Sequence, residues 1–168
     1  MKDGKKERER SKPKLYSYVV ERDNGFAPNP YWGVCTLANC KSSEGKKSKG
    51  KSIVDRAKKG DWVVGTGGKS DRSAGRHGTL IYVMRVDKIR TLAEYFDNGK
   101  FEAKRPITDG TYKQQQGDNE ERDCSNRRGR VLISRHFLYY GRNAVDIPQR
   151  FREHPRHPLD HFYSLCIP

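Results

Sequence analysis

Alternating apolar and polar residues predict that the chain folds mainly into short β-strands. The pattern is clear over residues 15–20, and it is longest over residues 79–86. Residues 61–68 predict a strand that runs into a glycine-rich turn, and the polar residues 69–78 predict an exposed hairpin loop. Four weaker patterns complete the prediction: residues 34–38 (a short strand or a tight turn), 130–133, 136–140 and 162–167.

Helices are predicted to be few and short. Ser52 is a suitable N-cap for a helix of about two turns, and Gly60 is a suitable stop. The predicted fold class is therefore α+β: one small β-rich domain over residues 15–168 with two or three short helices. Brief helices are also predicted at residues 91–96 and 148–151, and a long irregular connection at residues 97–130.

The composition predicts a small hydrophobic core. Hydrophobic residues make up 33% of the 168 residues, below the roughly 45–50% that is usual in globular domains. No stretch of about 18 apolar residues occurs, which excludes a transmembrane helix. Residues 1–14 are charged and lack the apolar segment of a secretory signal, so we expect a cytoplasmic protein with reduced cysteines.

Positive charge is concentrated in three segments of a chain whose formal net charge is +14. Residues 1–14 mix charges without apolar periodicity and are predicted to be a disordered basic arm. Residues 41–60 carry eight basic and two acidic side chains, and within them residues 42–51 predict a mobile lysine-rich loop. Residues 69–90 are the third basic segment. Such clusters attract phosphate backbones, which points to DNA, RNA or a free nucleotide as the partner, although basic loops can also serve solubility alone.

Large aromatic residues lie close in sequence to these basic segments. Tyr31 and Trp32 follow a run of turn residues, which places two rings on a loop, and Trp62 begins a predicted strand. An aromatic ring stacks on a heterocyclic base while a neighbouring cation contacts its phosphate. The alternative is that Trp62 and Tyr82 are core residues of their strands.

The candidate site therefore has a base-binding part and a phosphate-binding part. Aromatic residues would clamp one base, and polar residues would hydrogen-bond to its edge. The base-binding residues predicted in this way are Phe26, Tyr31, Trp32, Trp62, Asn24, Asn29 and Asp61. The phosphate-binding residues are Lys46, Lys47, Lys58, Lys59, Lys69, Arg72 and Arg76.

Other chemical motifs are weak. Residues 65–69 lack the spacing of a nucleoside-triphosphate loop, although a hairpin turn there could still contact an anion through Lys69 and backbone N–H groups. Pro155 and Pro158 interrupt the helix that would align the histidines near the C-terminus, and no Cys-x2-Cys pair is present. No metal and no cofactor are therefore predicted.

Several segments resemble a known family, the nucleotide modification associated domain of the second type. The resemblance rests on residues 18–20, 23–30, 31–41 and 59–67, and the Gly-Phe-Ala-Pro-Asn-Pro run at residues 25–30 is its most specific part. It extends more loosely to residues 131–134, 137–141 and 147–148. The resemblance implies a bacterial or phage protein that is associated with systems that modify DNA bases, and it implies no particular reaction.

A weaker resemblance concerns the fold. Residues 59–61 lead into a strand and a hairpin, which is similar to the middle of the PUA-like barrels, including the EVE and YTH domains. This resemblance implies a partly open barrel that holds an extruded, modified base in an aromatic cage beside a basic surface.

Three functions remain open at this point. The first is a nucleic-acid or nucleotide binding domain that recognises a modified base in an aromatic pocket. The second is a small enzyme acting on a base or nucleotide in a DNA-modification pathway, with acid–base or nucleophilic candidates Asp23, Cys35, Asp61, Asp71 and His77. The third is a plain interaction module whose basic loops contact an acidic protein and whose aromatic residues lie in the core.

Overall fold

A computed structural model describes residues 12–23, 25, 27–38, 52–104 and 129–152. The strands are β1 (Leu15–Val19), β2 (Cys35–Ala38), β3 (Trp62–Thr66), β4 (Thr79–Arg85), β5 (Lys88–Thr91), β6 (Arg130–Ser134), β7 (His136–Tyr139) and β8 (Val145–Asp146). The helices are α1 (Ile53–Arg56), α2 (Leu92–Asp97) and α3 (Gln149–Arg152), with 3-10 helices at Gly99–Lys104 and Gly141–Asn143.

The strands form two sheets. The first has the order β1-β3-β4-β7, with β8 paired to the start of β4, and only its β1–β3 pair is parallel. The second is antiparallel with the order β2-β6-β5. The chain passes between sheets after β4, through Val86 and Asp87, and after β6, through Arg135. The described residues are thus β-rich with a few short helices, as predicted, and their strands do not close into a barrel.

The main core lies between the two sheets. Val63, Tyr82 and Met84 face it from the first sheet, and Cys35 and Leu132 face it from the second. The opposite face of the second sheet is covered by α2, whose Leu92, Tyr95 and Phe96 pack against Val131 and Ile133. Because both of its faces are covered, β2 is buried along its whole length.

Close packing explains one glycine of the glycine-rich segment. Gly65 lies beneath the ring of Tyr82, its register partner on β4, and a Cβ at this position would overlap that ring and a methyl group of Val20. A side chain at position 65 would therefore require the core to shift.

The two N-terminal helix caps hold helices of only one or two turns. Ser52 Oγ accepts a hydrogen bond from the Asp55 N–H, and the Asp55 carboxylate accepts one from the Ser52 N–H. Thr91 and Glu94 make the same reciprocal pair at the start of α2. The predicted cap at Ser52 is confirmed, since this pair satisfies N–H groups that a helix leaves free at its first turn.

Two strands were not predicted, and some predictions cannot be compared. β5 has a single apolar residue, Ile89, and it pairs at the edge of its sheet. β8 has only two residues. The strand predicted at residues 162–167, the loop at residues 42–51 and residues 1–11 of the basic arm lie outside the described residues. Among the residues that are described, no helix is long and apolar enough to cross a membrane.

Candidate functional site

A tight turn presents Trp32 at the surface. Asn29 and Thr36 exchange two backbone hydrogen bonds, of 2.8 and 2.9 Å, and the chain reverses direction between them. Trp32 and Gly33 have φ angles of 56° and 74°, as at the central positions of a type I′ turn. Asn-Gly is favoured there, and a residue with a large side chain pays roughly 1–2 kcal/mol for this conformation. The Trp32 side chain is nevertheless 50% exposed, so packing in a core does not explain its presence.

The buried side chain of Lys104 stabilises this turn. Its buried ammonium donates hydrogen bonds to Asn29 O (3.0 Å), Asn29 Oδ1 (2.9 Å) and Val34 O (2.8 Å). The same nitrogen lies 5.8 Å from the centroid of the Trp32 ring, within the range of a cation–π contact. Burial lowers the pKa of Lys104 to about 8. The three acceptors span both sides of the turn, so Lys104 fixes the position of Trp32.

Three aromatic rings form a continuous row, here called the aromatic row: Tyr139, Tyr31 and Trp32. The Tyr31 ring lies 6.4 Å from the Tyr139 ring and 5.9 Å from the Trp32 ring, measured between centroids. The Tyr139 hydroxyl donates a hydrogen bond to Asp23 Oδ2 at 2.5 Å. Burial raises the pKa of the Asp23 carboxyl, and the hydrogen bond from Tyr139 and the charge of Arg142 oppose this rise.

Two buried polar atoms beside the aromatic row have no hydrogen-bond partner. They are Oδ1 of Asp23 and Nδ2 of Asn29. An unpaired buried polar atom costs on the order of 1–3 kcal/mol, so native folds rarely retain one. One of the two atoms is an acceptor and the other is a donor.

The structure does not bring Trp62 to the aromatic row. Trp62 pairs with Arg85, and Arg85 pairs with His136, so the three side chains share the outer face of the first sheet. Tyr139, which contacts Tyr31, pairs with the buried Tyr82 on the core face. Neighbouring strand residues alternate between faces, and a clamp made jointly by Trp32 and Trp62 does not form.

The predicted polar residues separate into different roles. Asn29 lies at the base of the Trp32 turn. Asp61 is only 6% exposed, and its two carboxylate oxygens accept hydrogen bonds from the backbone N–H groups of Lys14 (2.9 Å) and Lys58 (2.8 Å). Asp61 therefore ties the residue before β1 to the turn before β3. Of the other predicted residues, Asn24, Phe26, Lys46 and Lys47 lie outside the described residues.

The predicted phosphate-binding residues fall at opposite ends of the first sheet. Lys58 and Lys59 precede β3, whereas Lys69, Arg72 and Arg76 follow it. Arg76 forms an ion pair with Asp146 at 2.6 Å. The loop after β3 packs on the end of β1, because Ser73 Oγ and Ala74 N both donate hydrogen bonds to Val20 O. Lys69 and Arg72 therefore lie toward the end of the sheet from which the chain continues to Asp23.

Two backbone N–H groups of the glycine-rich turn donate hydrogen bonds within the fold. The Gly67 N–H donates to Thr79 O at 2.9 Å, and the Gly68 N–H donates to Ser73 Oγ at 2.6 Å. These two N–H groups therefore have partners within the fold, and the predicted contact of this turn with an anion rests on Lys69.

Sequence reasoning missed four residues of the site or assigned them differently. Asp23 was considered only as an acid–base candidate, and Lys104 lies in a polar stretch that predicts an irregular connection. Tyr139 is 116 residues from Asp23 along the chain, and Arg142 follows it in an exposed 3-10 helix. Within the site, only the turn residues around Trp32 form a local sequence pattern that predicts an exposed position.

A second charged cluster, on the outer face, joins the two sheets. Asp87 accepts hydrogen bonds from the Arg135 N–H (2.7 Å), from Arg85 and, at 2.9 Å, from His136 Nδ1. Burial is the largest single influence and raises the pKa of Asp87, but the hydrogen bonds together exceed it and leave that pKa below its usual value. The hydrogen bonds of Asp87 thus stabilise the segment in which the chain crosses from one sheet to the other.

We expect Asp87→Asn to lower the free energy of unfolding at pH 7 by about 1–2 kcal/mol, because charged hydrogen bonds are lost. The folded-state pKa of Asp87 is depressed, so its contribution is present above the unfolded pKa and disappears as the pH falls through the folded value. Urea unfolding should therefore show a larger stability difference from the parent at pH 7 than at pH 3. An equal difference at both pH values would contradict a role of the carboxylate charge.

Comparison with known proteins supplies the family. The model of the family described as Nucleotide modification associated domain 2 matches residues 12–123. No curated protein and no solved structure matches the chain. Within the described part of the chain, no three His, Cys, Asp or Glu side chains are grouped so that they could hold a metal ion. Because the match covers well over half of the sequence and includes the Trp32 turn, the chain belongs to the Nucleotide modification associated domain 2 family.

Proposed function

We propose that this domain binds a nucleotide, either free or within DNA or RNA, and that the base stacks on the aromatic row. The observation that carries the proposal is the half-exposed Trp32, kept in an unfavourable backbone conformation and supported by the buried Lys104. Backbone strain that the surrounding structure maintains tends to occur at ligand-binding positions. The association of the family with nucleotide modification agrees with a nucleotide ligand.

Stacking supplies the attraction for the base. An indole ring and two phenol rings follow one another in the aromatic row with interplanar angles of 63° and 60°, so the base would stack on one ring, and Trp32 is the exposed end of the row. Stacking of a base on an aromatic side chain is worth about 1–3 kcal/mol, and it tolerates different bases because each has a π-face. A modified base that unstacks easily from its neighbours would enter such a site at lower cost.

Basic residues at the same end of the molecule as the aromatic row supply the attraction for phosphate. Arg142 is exposed, and its charge acts on Asp23, so it lies beside the aromatic row. Lys69 and Arg72 are also exposed, on the loop that packs against the end of β1. This part of the affinity should fall as salt rises, because phosphate contacts release bound counterions.

We also propose that the two sheets form a partly open barrel of the PUA-like type. Its support is that the chain changes sheets at Val86–Asp87 and again at Arg135, since strands that pass from one sheet to the other form the corners of such packings. A crystal structure tests this proposal: strand pairing that joins the two sheets would support the barrel, and two separate sheets would contradict it.

The structure gives less support to an enzyme. Burial raises the pKa of the Cys35 thiol to about 12, so a reactive thiolate is not available at neutral pH. Asp61 is occupied by backbone N–H groups, and Asp71 and His77 are exposed on a loop. Asp23 lies beside the aromatic row, where its carboxylate accepts a hydrogen bond from Tyr139.

A fluorescence titration tests the proposed function. In a Trp62→Phe variant, Trp32 is the remaining tryptophan, and we expect saturable quenching by single-stranded oligonucleotides and by nucleoside monophosphates. The Trp62→Phe change should leave affinity within about twofold of the parent, since Trp62 lies on the other face of the sheet. Absence of quenching by every nucleotide tested would contradict the proposal.

The salt dependence of oligonucleotide binding separates the two basic groups. We expect Lys69→Ala combined with Arg72→Ala to flatten the plot of log affinity against log salt by about 1.4–1.8 units, because about two phosphate contacts are lost. Lys58→Ala combined with Lys59→Ala is the matched control at the opposite end of the sheet, and its slope should equal that of the parent. If both double variants flatten the plot equally, the phosphate contacts are not confined to Lys69 and Arg72, and this proposal is contradicted.

A further inference from the structure

The outer face of the first sheet carries a row of aliphatic side chains. Strand residues two positions apart share a face, so Val64 lies on the same side of β3 as Trp62. Val64 pairs with Val83, and Val83 pairs with Leu138 on β7. Residues that pair directly across neighbouring strands point to the same side of the sheet. Val64, Val83 and Leu138 therefore form one row, here called the aliphatic row.

Three large apolar side chains of this face are exposed. Leu138, in the aliphatic row, is 58% exposed. In the next row, Thr66 pairs with both Val19 and Leu80. Leu80 also pairs with Val145, and Val19 and Val145 are 44% and 40% exposed. Single exposed apolar residues are ordinary, but apolar side chains that share one face mark a surface that contacts another molecule.

One end of this face carries an excess of positive charge. Arg85 and His136 lie on the face itself, and β1, β3 and β7 all begin at this end. The residues that precede these three strands include exposed basic side chains: Lys14, Lys58, Lys59 and Arg135. Asp61, at the same end, is buried, and Asp87 is hydrogen-bonded to His136. This basic end therefore attracts carboxylates.

We propose that the outer face of the first sheet docks one α-helix of a partner protein, whose apolar stripe covers the aliphatic row and whose carboxylates meet the basic end. Charge and hydrophobicity together select this occupant. A nucleic acid would contact the basic end but would leave the aliphatic row without an apolar partner. Docking is separate from nucleotide binding, because Trp62 and Tyr139 face opposite sides of the first sheet.

The size of the face fits a single helix. Four strands about 4.8 Å apart and about five residues long give a surface of roughly 14 by 17 Å. A helix is about 10–12 Å wide and rises about 1.5 Å per residue, so about three turns cover this surface. A second copy of this chain would bring the same basic end, which two facing copies could not neutralise. A flat sheet face also lacks a protruding apolar element that could enter a lipid headgroup layer.

Trp62 reports whether this face is occupied. The chain has two tryptophans, so Trp62 is the remaining one in a Trp32→Asn variant. The probe is a synthetic helical peptide of about 18 residues, with leucines on one face, glutamates in its first turn and no aromatic residue. We expect a saturable shift of Trp62 emission. A matched peptide with glutamine in place of glutamate should bind about tenfold more weakly.

Variants in the same Trp32→Asn background locate the contact. Leu138→Glu changes an exposed side chain and should weaken peptide binding at least tenfold. Lys58→Ala combined with Lys59→Ala should weaken it about fivefold. Lys69→Ala combined with Arg72→Ala is the matched control at the opposite end of the sheet, and it should leave peptide binding unchanged. The two pairs thus exchange the roles that they have in oligonucleotide binding.

Three results would overturn this proposal. The first is an unchanged Trp62 emission with the glutamate peptide. The second is equal binding of the two peptides together with equal effects of the two double variants, because the contact would then be non-specific. The third is another occupant: a shift of Trp62 emission caused by an oligonucleotide, or sedimentation of the peptide-free protein as a dimer that Leu138→Glu dissociates. None of these results bears on nucleotide binding at Trp32, which this variant lacks.

Discussion

Replacing Trp32 with asparagine is expected to reduce nucleotide affinity about 10- to 100-fold while leaving the stability of the fold nearly unchanged. The loss follows from removing a stacking surface worth about 1–3 kcal/mol per base. Stability should stay within about 1 kcal/mol of the parent, because Asn-Gly is the favoured pair for two successive residues with positive φ, as found at Trp32 and Gly33. The relief of strain offsets the lost contacts of the ring with Tyr31 and Lys104.

Two measurements on the same protein check this expectation. Anisotropy of a labelled oligonucleotide reports affinity without using tryptophan, and urea unfolding reports stability. Trp62→Phe is the matched control, because it alters the other indole and should change neither quantity by much. Two results contradict the expectation: affinity within twofold of the parent, or a loss of more than about 2 kcal/mol of stability. The second would mean that Trp32 serves packing.

The second large effect is a loss of stability that we expect on replacing Lys104. Lys104→Met keeps the length of the side chain but removes three hydrogen bonds to Asn29 and Val34. The loss of three charged hydrogen bonds in the interior should lower the free energy of unfolding at pH 7 by about 2 kcal/mol, while Asn29 O keeps the Thr36 N–H and Asn29 Oδ1 keeps the Tyr31 N–H as donors. Lys100→Met is the control, because Lys100 lies in the same 3-10 helix and is exposed. Urea unfolding should show an effect at position 104 and none at position 100.

The pH dependence of this difference provides a separate check. The folded-state pKa of Lys104 is about 8, below the 10.5 of a free lysine, because the buried site disfavours the charge. Between these values the unfolded chain binds more protons than the folded chain, so the parent gains stability as the pH rises. The methionine variant lacks this gain, and the stability gap should widen from pH 8 to pH 10.5. A constant gap would show that the ammonium is not desolvated in the folded chain.

The fold class follows from the sequence because local patterns determine it. Alternation predicted β1, β3 and β4, and the cap at Ser52 predicted α1. β5 was missed because an edge strand with one apolar residue carries almost no alternating pattern. Residues 130–140 predicted two strands separated by a bend, but nothing local indicates that β6 and β7 belong to different sheets.

The site was harder to predict, because it depends on which face of each strand meets the core. Alternation shows that Trp62 and Val63 face opposite ways, but which of them is buried depends on the side of the first sheet that the second sheet covers. Asp23 and Tyr139 come together across the fold, and Lys104 reaches Asn29 from 75 residues away. Such contacts leave no trace in local periodicity.

The parallel pairing of β1 with β3 sets an order of events during synthesis. Leu15 lies opposite Trp62, so 47 further residues must be added before even the first pair of this ladder can meet. The antiparallel β3–β4 hairpin, by contrast, closes over the loop of residues 67–78, which is shorter than the segment between β1 and β3 and therefore carries a lower entropic cost. β1 therefore remains without its neighbour until β3 has been made.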